Sequence, residues 1–427
     1  MSLSVPQNSM AEIMSPGERV SSVYTSEENC DVFKDKVNFN NRFVYQLNNQ
    51  QLNAQQVQVN IPNDGLFNYL FLSLGIAGAG DSITNVMGLV PVPAYTIIQQ
   101  IQYQLFGSTI YQIDGIQNME SVFSDCQTQE QLNELILLAG GPGIPSGGYT
   151  AAVQKNMYAA LAIPWNRIYN NLKKKGLIDM TMSQQPMTIR ISFRGANSIY
   201  YAVAGTPSFP TSFTNSYIQT RIGNFYDRND ALKLKEQVVE DGKVIEKTNV
   251  YSIPIRYEYS TITQVFPGSQ VPSPPTTAIL TGFMSGNLSV IRLGLYNIGS
   301  HTTIQVPATS STNYIAAETP LNLHLQFNGL DVFRSDNDAF KMDSLFNFTV
   351  PRKASVDGTN FFYWVEIPIS RFLAEEIGDC FNYGVNLSSQ TLNLYLNTAQ
   401  TDNYQFYVTY VYSSSMGMDG NTATYFF

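Results

Sequence analysis

The feature that most narrows what this chain can become is a corner written twice. Ile163-Pro164-Trp165-Asn166-Arg167 returns in the second half as Ile367-Pro368-Ile369-Ser370-Arg371. Each copy follows an aromatic, strand-like run, Met157-Tyr158-Ala159-Ala160-Leu161 and Phe361-Phe362-Tyr363-Trp364-Val365. A residue before proline is driven out of the α region, so Ile163 and Ile367 read as the extended ends of strands. Pro164 and Pro368 then suit the first turn of a helix, where no N–H is required. Trp165, Ile168, Tyr169 and Leu172 fall at helical spacing after the first corner, and Ile369, Phe372, Leu373 and Ile377 after the second. Gly176 and Gly378 supply the stops. Arg167 and Arg371 recur in step, and each reads as a donor to strand-end carbonyls at its own corner.

Other anchors keep the same order in both halves. Leu72-Ser73-Leu74-Gly75-Ile76 is echoed by Leu293-Gly294-Leu295-Tyr296-Asn297. Tyr103-Gln104-Leu105-Phe106-Gly107 leading to Ile110-Tyr111 matches Leu325-Gln326-Phe327-Asn328-Gly329 leading to Val332-Phe333, two strands joined through a glycine turn. Ser183 and Gln185 with Met187, Ile189 and Ile191 match Ser388 and Gln390 with Leu392, Leu394 and Leu396. Tyr257-Glu258-Tyr259-Ser260 resembles Tyr410-Val411-Tyr412-Ser413. Together these matches argue for one β domain duplicated in tandem.

The length of 427 residues accommodates two such domains. Residues 1–30 form a polar N-terminal arm, 31–266 the first domain, 267–277 a proline-rich linker, 278–417 the second domain and 418–427 a C-terminal tail. In the first domain Val57, Val59 and Ile61 alternate with glutamine and asparagine, and Leu66 to Leu74 reads as a buried strand. Gly75 to Pro93 reads as a long loop. Thr128 with Gln131 opens a helix through Leu138 as a capping box, and Gly140-Gly141-Pro142-Gly143 reads as a loop. The interval 227–247 changes character, with eleven charged residues and an Asp241-Gly242 turn, and reads as an exposed hairpin inserted before a closing strand at Tyr257–Tyr259. Phe406 to Tyr412 is apolar on both faces, as a central strand would be.

Charged residues are only 13% of the chain, about half of the roughly 25% usual for soluble domains, while Tyr and Phe number 26 and 25. Polarity is therefore carried by Asn, Gln, Ser and Thr. That composition suits sheets packed against other protein, and equally a β-rich surface protein with a neutral exterior. A net charge of −9 opposes direct nucleic-acid binding, which needs clustered cations. Cys30, Cys126 and Cys380 are too few and scattered for a disulfide framework, so folding in a reducing compartment is expected. No segment matches a signal peptide, and the apolar stretch Leu66 to Ala79 is shorter than the roughly 18 residues of a transmembrane helix.

Catalytic and metal-binding patterns are not found. His301 and His324 lack ligand spacing to other donors, and no nucleophile elbow or paired-histidine zinc motif occurs. Asp331, Asp336, Asp338 and Asp343 form an acidic cluster without the EF-hand pattern and read as solvated carboxylates. No catalytic, metal or cofactor-binding residue is assigned, and no cofactor is expected; two carboxylates of a glycosidase could still sit among strands without a local motif.

Two tandem β domains, each with a helix-bearing excursion after an Ile-Pro corner and before a polar alternating strand, resemble the double jelly-roll major capsid proteins. These belong to tailless icosahedral viruses with an internal membrane, the lineage of adenovirus hexon. The resemblance spans roughly Asp31 to Met416 and rests most on Ile163 to Arg167, Met187 to Phe193 and Ile367 to Leu396. It implies an all-β fold of two eight-stranded jelly rolls with short helices in the loops. It further implies a homotrimer with a pseudo-hexagonal outline, contacts with neighbouring capsomers and with minor capsid or membrane proteins, and a place in the virion after folding in the host cytoplasm. The intervals 193–247 and 299–320 are then the expected outward loops, and the N-terminal arm faces the membrane or a neighbour. A carbohydrate-binding or adhesive β-sandwich protein is the alternative reading.

Overall fold

The computed structural model describes residues 37–47, 56–62, 66–76, 86–90, 92–124, 126, 128–141, 155–163, 178–180, 185–195, 199–206, 215–225, 251–262, 276–280, 287–297, 316–317, 322–327, 330–335, 350–356, 359–368, 385–386, 392–397, 404–418 and 423–426. The first unit holds β1 (Val37–Leu47), β2 (Gln56–Ile61), β3 (Leu66–Ile76), β4 (Val86–Leu89), β5 (Ile98–Leu105), β6 (Ser108–Asp114), β7 (Lys155–Leu161), β8 (Ile178–Asp179), β9 (Met187–Phe193), β10 (Tyr200–Ala204) and β11 (Ser216–Phe225). Among the described residues three helices accompany them: α1 (Pro93–Thr96), α2 (Gly115–Ser124) and α3 (Gln129–Leu138). One antiparallel sheet runs β1-β11-β3-β7, with β8 also on β3, and a second runs β2-β9-β5-β6. β4 and β10 form a separate ribbon.

The second unit holds β12 (Tyr251–Ile262), β13 (Thr276–Leu280), β14 (Asn287–Asn297), β15 (Ala316–Ala317), β16 (Asn322–Phe327), β17 (Leu330–Ser335), β18 (Val350–Val356), β19 (Thr359–Pro368), β20 (Val385–Asn386), β21 (Leu392–Asn397), β22 (Tyr404–Met418) and β23 (Ala423–Phe426). Its sheets run β12-β22-β14-β19-β18 and β13-β21-β16-β17. Taken in chain order, the strands alternate between sheets in the same sequence in both units, so β1, β2, β3, β5, β6, β7, β9 and β11 correspond to β12, β13, β14, β16, β17, β19, β21 and β22. Even the short return strands agree, because β8 pairs with the start of β3 and β20 with the start of β14. Two sheets of four with this interleaving make a jelly roll, and the chain makes it twice.

Period-two patterning builds these sheets. Val57, Val59 and Ile61 are buried while Gln56, Gln58 and Asn60 are exposed, and Met187, Ile189, Ile191 and Phe193 on the paired β9 face the same core. β3 is covered on both faces: Leu72, Ser73 and Leu74 are all buried, as a sheet-centre strand requires. The β5–β6 hairpin turns through Phe106 and Gly107, whose φ values of 52° and 79° make the twisted two-residue turn that favours glycine. Thr128 accepts a hydrogen bond from the Gln131 amide at 3.2 Å, so the capping box opens α3 where the sequence places it.

Several expectations change. The Tyr257–Tyr259 strand does not close the first unit. It lies in β12, paired along its length with β22, so it is the first strand of the second roll, and β11 closes the first. The stretch read as an inter-domain linker therefore joins β12 to β13, and Thr276 and Thr277 are already paired in β13. Gly75 to Pro93 contains β4, and the interval 193–247 contains β10 and the sheet-centre strand β11, with Ser216, Ile218 and Thr220 buried. The C-terminal tail supplies β23, which pairs with β22. The N-terminal arm, the charged hairpin and both corner helices lie outside the described residues.

Candidate functional site

In a chain whose sequence offers no catalytic constellation, the informative site is where the first corner meets the helices and the second roll. β7 ends its sheet path, so its outer backbone groups need partners other than a strand. Side chains provide them. The Tyr95 hydroxyl accepts from the Ala160 amide at 3.2 Å, Asn118 Oδ1 accepts from the Ala162 amide at 2.7 Å, and the Tyr103 hydroxyl donates to the Ala162 carbonyl at 2.8 Å. Each such bond contributes roughly 1 kcal/mol when made and costs more when one buried partner is removed. Together they fix the last residues before Ile163, which is fully buried.

These side chains are held in turn. Tyr95 lies on α1, which begins after Val92 in the left-handed region, and the Val92 amide donates to the Gly141 carbonyl at 2.8 Å. Its ring meets Phe123 of α2 edge-on, with centroids 5.2 Å apart. Asn118 lies on α2, whose start is a reciprocal cap: Gln117 N–H donates to Asp114 Oδ1 and Asp114 N–H to Gln117 Oε1, both at 2.8 Å. This helix is unforeseen in the sequence reading because Gln117, Asn118, Glu120, Ser121 and Ser124 are all buried, which blurs an apolar stripe. The Asp114…Gln117 spacing, with Met119 and Phe123 four apart behind it, is the signal that finds it.

Burial pushes the Tyr95 and Tyr103 phenols well above their ordinary value of 10.0. The unfolded chain releases these protons first, so the stability they lend is complete below about pH 10 and is lost as pH rises above it, by up to about 1.4 kcal/mol per unit and per phenol. Urea unfolding between pH 9 and 11 is therefore expected to show a falling free energy in this range, and Tyr103→Phe should flatten the slope by one proton; an unchanged slope would contradict the burial argument.

On the far side of α2, Glu120 reaches the second roll. Thr409 Oγ1 donates to Glu120 Oε2 at 3.1 Å, and both residues are fully buried. Thr409 sits opposite Arg292, and Arg292 opposite Glu366, in neighbouring strands β22, β14 and β19. Arg292 Nε lies 3.4 Å from Glu366 Oε1, with side chains 0% and 3% exposed. A row of polar side chains thus crosses a sheet whose neighbouring positions Val290 and Val411 are apolar and buried.

Of the six corner residues, Ile163 follows β7 and Ile367 lies in its counterpart β19, both fully buried. Pro368 is the last residue of β19 and faces Val290. Pro164, Arg167 and Arg371 lie outside the described residues, as do His301, Asp336, Asp338 and Asp343; His324 lies in β16 and Asp331 in β17. Among the described residues no group of three or more His, Cys, Asp or Glu side chains is arranged to hold a metal ion, and no helix is long and apolar enough to cross a membrane.

No protein-family model matches the sequence, and no curated protein matches it. Solved structures do match the fold. PBCV-1 VP54, in a crystal structure fitted into a cryo-EM reconstruction of the virophage Sputnik, superimposes with a TM-score of 0.62 at 12% identity, over 92% of this chain and 97% of that one. The Faustovirus major capsid protein gives 0.53 at 8% identity, over 89% and 90%. The mavirus major capsid protein gives 0.52 at 13% identity, over 90% of each. With both rolls matched nearly end to end, this chain has the double jelly-roll fold of those capsid proteins.

Proposed function

We propose that this protein is a major capsid protein that trimerises into a pseudo-hexagonal building block of an icosahedral viral shell. The observation that carries the reading is the strand-for-strand duplication. Three chains of two like rolls present six like wedges, which can tile a closed surface. The low charged fraction fits the same purpose, since neutral amides and hydroxyls are desolvated in an interface at less cost than Lys or Glu. Residence in the virion, folding in the host cytoplasm, and contacts with neighbouring capsomers and minor capsid or membrane proteins belong to this reading. So does a structural, non-catalytic role.

We further place the first roll at 31–225 and the second from 251 onward, with the charged interval 227–247 in the connection between them, and we take Ile163, Pro164 and Arg167 with Ile367, Pro368 and Arg371 as the structural corners of the two rolls. The sugar-binding alternative calls for exposed aromatic platforms. Among the described residues the exposed large apolar side chains are Leu137 and Leu138, neither of them aromatic, so no observation favours that alternative.

Sedimentation equilibrium at micromolar concentration is expected to return three times the chain mass of 47.6 kDa, and negative-stain images a three-lobed particle with a six-sided footprint. A monomer across the whole concentration range, under conditions where the protein is folded, would overturn the proposal.

A further inference from the structure

The two faces of α2 are engaged by different rolls. Residues two apart on a helix point in opposed directions, about 200° around the axis. Asn118 bonds the edge strand of the first roll through the Ala160 and Ala162 backbone, while Glu120 accepts from Thr409 of the second. α3 also lies alongside β18, and β6 alongside β12, so the first roll's sheet edge and helices are laid against the second roll's larger sheet.

An apolar contact between a helix and a sheet tolerates sliding, because one methyl group replaces another at little cost. A buried carboxylate is different. It needs its donor at hydrogen-bond distance, and displacement by one residue along β22 would bring an opposite-facing side chain, Val408 or Tyr410, to the place of Thr409. Directly opposed residues on neighbouring strands share a face, so Arg292 and Glu366 lie on the same side as Thr409, and the row is polar across three strands. The flanking row on that face, Val290 opposite Val411, carries no such constraint.

We infer that Glu120 and Thr409 form a register pin that sets the orientation of the two rolls within one chain. The polar contact selects one arrangement of the rolls among neighbours that would otherwise be close in energy. Glu120 is thus a positioning residue for the second roll. The pin lies inside a single chain, so it can fail while the capsid reading stands, and the reverse.

The test separates position from stability. Spin labels carried on genetically encoded side chains at exposed Gln58 in the first roll and at Ser355 in the second report the distance between rolls, with labelled chain diluted into excess unlabelled chain to suppress contacts between copies. Wild type should give one narrow distance. Replacing both partners by apolar groups, Glu120→Leu with Thr409→Val, should leave the chain folded with a distance distribution about twofold broader, since volume-conserving cores lose uniqueness before stability. Glu120→Gln keeps an oxygen to accept from Thr409 and should keep the wild-type width. A double variant as narrow as wild type would overturn the inference. Should that variant not fold, Thr409→Ser and Thr409→Val decide in its place: a narrow distribution for serine and a broad one for valine uphold the pin, and equal widths sink it.

Discussion

Gly115→Ala should destabilise the protein by about 3 kcal/mol or more, near the upper end of what overpacking a core costs. Gly115 is the first residue of α2 and follows β6 directly. A methyl group there would run into the Ile98 carbonyl oxygen, with the Ile98 carbonyl carbon 3.2 Å and the Tyr95 carbonyl oxygen 3.5 Å away. Those are backbone atoms of β5 and α1, so no rotamer change relieves the contact. Ile98 is paired to Phe193 of β9, and the Ile97 carbonyl accepts from the Arg194 amide at 2.8 Å, which leaves the obstructing peptide little room to retreat. The displacement would pass to Asn118 and Glu120. Chemical denaturation of purified variant and wild type checks the value, and a loss below about 1 kcal/mol would mean that the α2 start is more pliant than its packing implies.

Ile163→Ala and Ile367→Ala should each cost about 2–5 kcal/mol, the range for emptying a fully buried isoleucine site. Valine at either place should cost only about 0.5–1.5 kcal/mol. Because the two sites stand at the ends of corresponding strands in different rolls, the double alanine variant should lose the sum of the two within about 0.5 kcal/mol. Urea midpoints at constant m-value test all three statements. If one alanine variant is nearly neutral, the two corners are not mechanically alike, however similar their letters.

The repeats were readable because corresponding strands meet corresponding demands. Leu72 to Ile76 and Leu293 to Asn297 are the closing halves of β3 and β14, the Tyr103 and Leu325 segments are β5 and β16, and the Met187 and Leu392 segments are β9 and β21. The match of Tyr257–Ser260 to Tyr410–Ser413 misleads for a physical reason. These segments are cross-strand partners, Tyr257 opposite Tyr412 and Tyr259 opposite Tyr410. Neighbours in one sheet share an environment and so come to share residue types, which a repeat search cannot tell from duplication. The true counterpart of β22 is β11, whose Ser216-Tyr217-Ile218-Gln219-Thr220-Arg221 carries polar residues even at buried positions and so hides the strand. β4 and β10 are short and set among glycine and proline, where periodicity has too few residues to register. The junction was invisible for another reason: nothing local marks Glu120 and Thr409 as partners, since 289 residues separate them.

The pairing of β1 with β11 has a consequence for how the chain is made. Val37 waits for Phe225 and Leu47 for Ser216, so the strand that leaves the ribosome first in this roll finds its neighbour only after all the others have been translated. At roughly 5–20 residues per second that interval lasts on the order of 10–35 s. Until β7 and β8 are made, β3, with both faces destined for burial, has no strand beside it in its sheet, and the edge that β11 covers stays open to the end of the interval. From the translation of β3 until that of β11, a nascent chain of this topology therefore carries a hydrophobic strand with one edge unshielded.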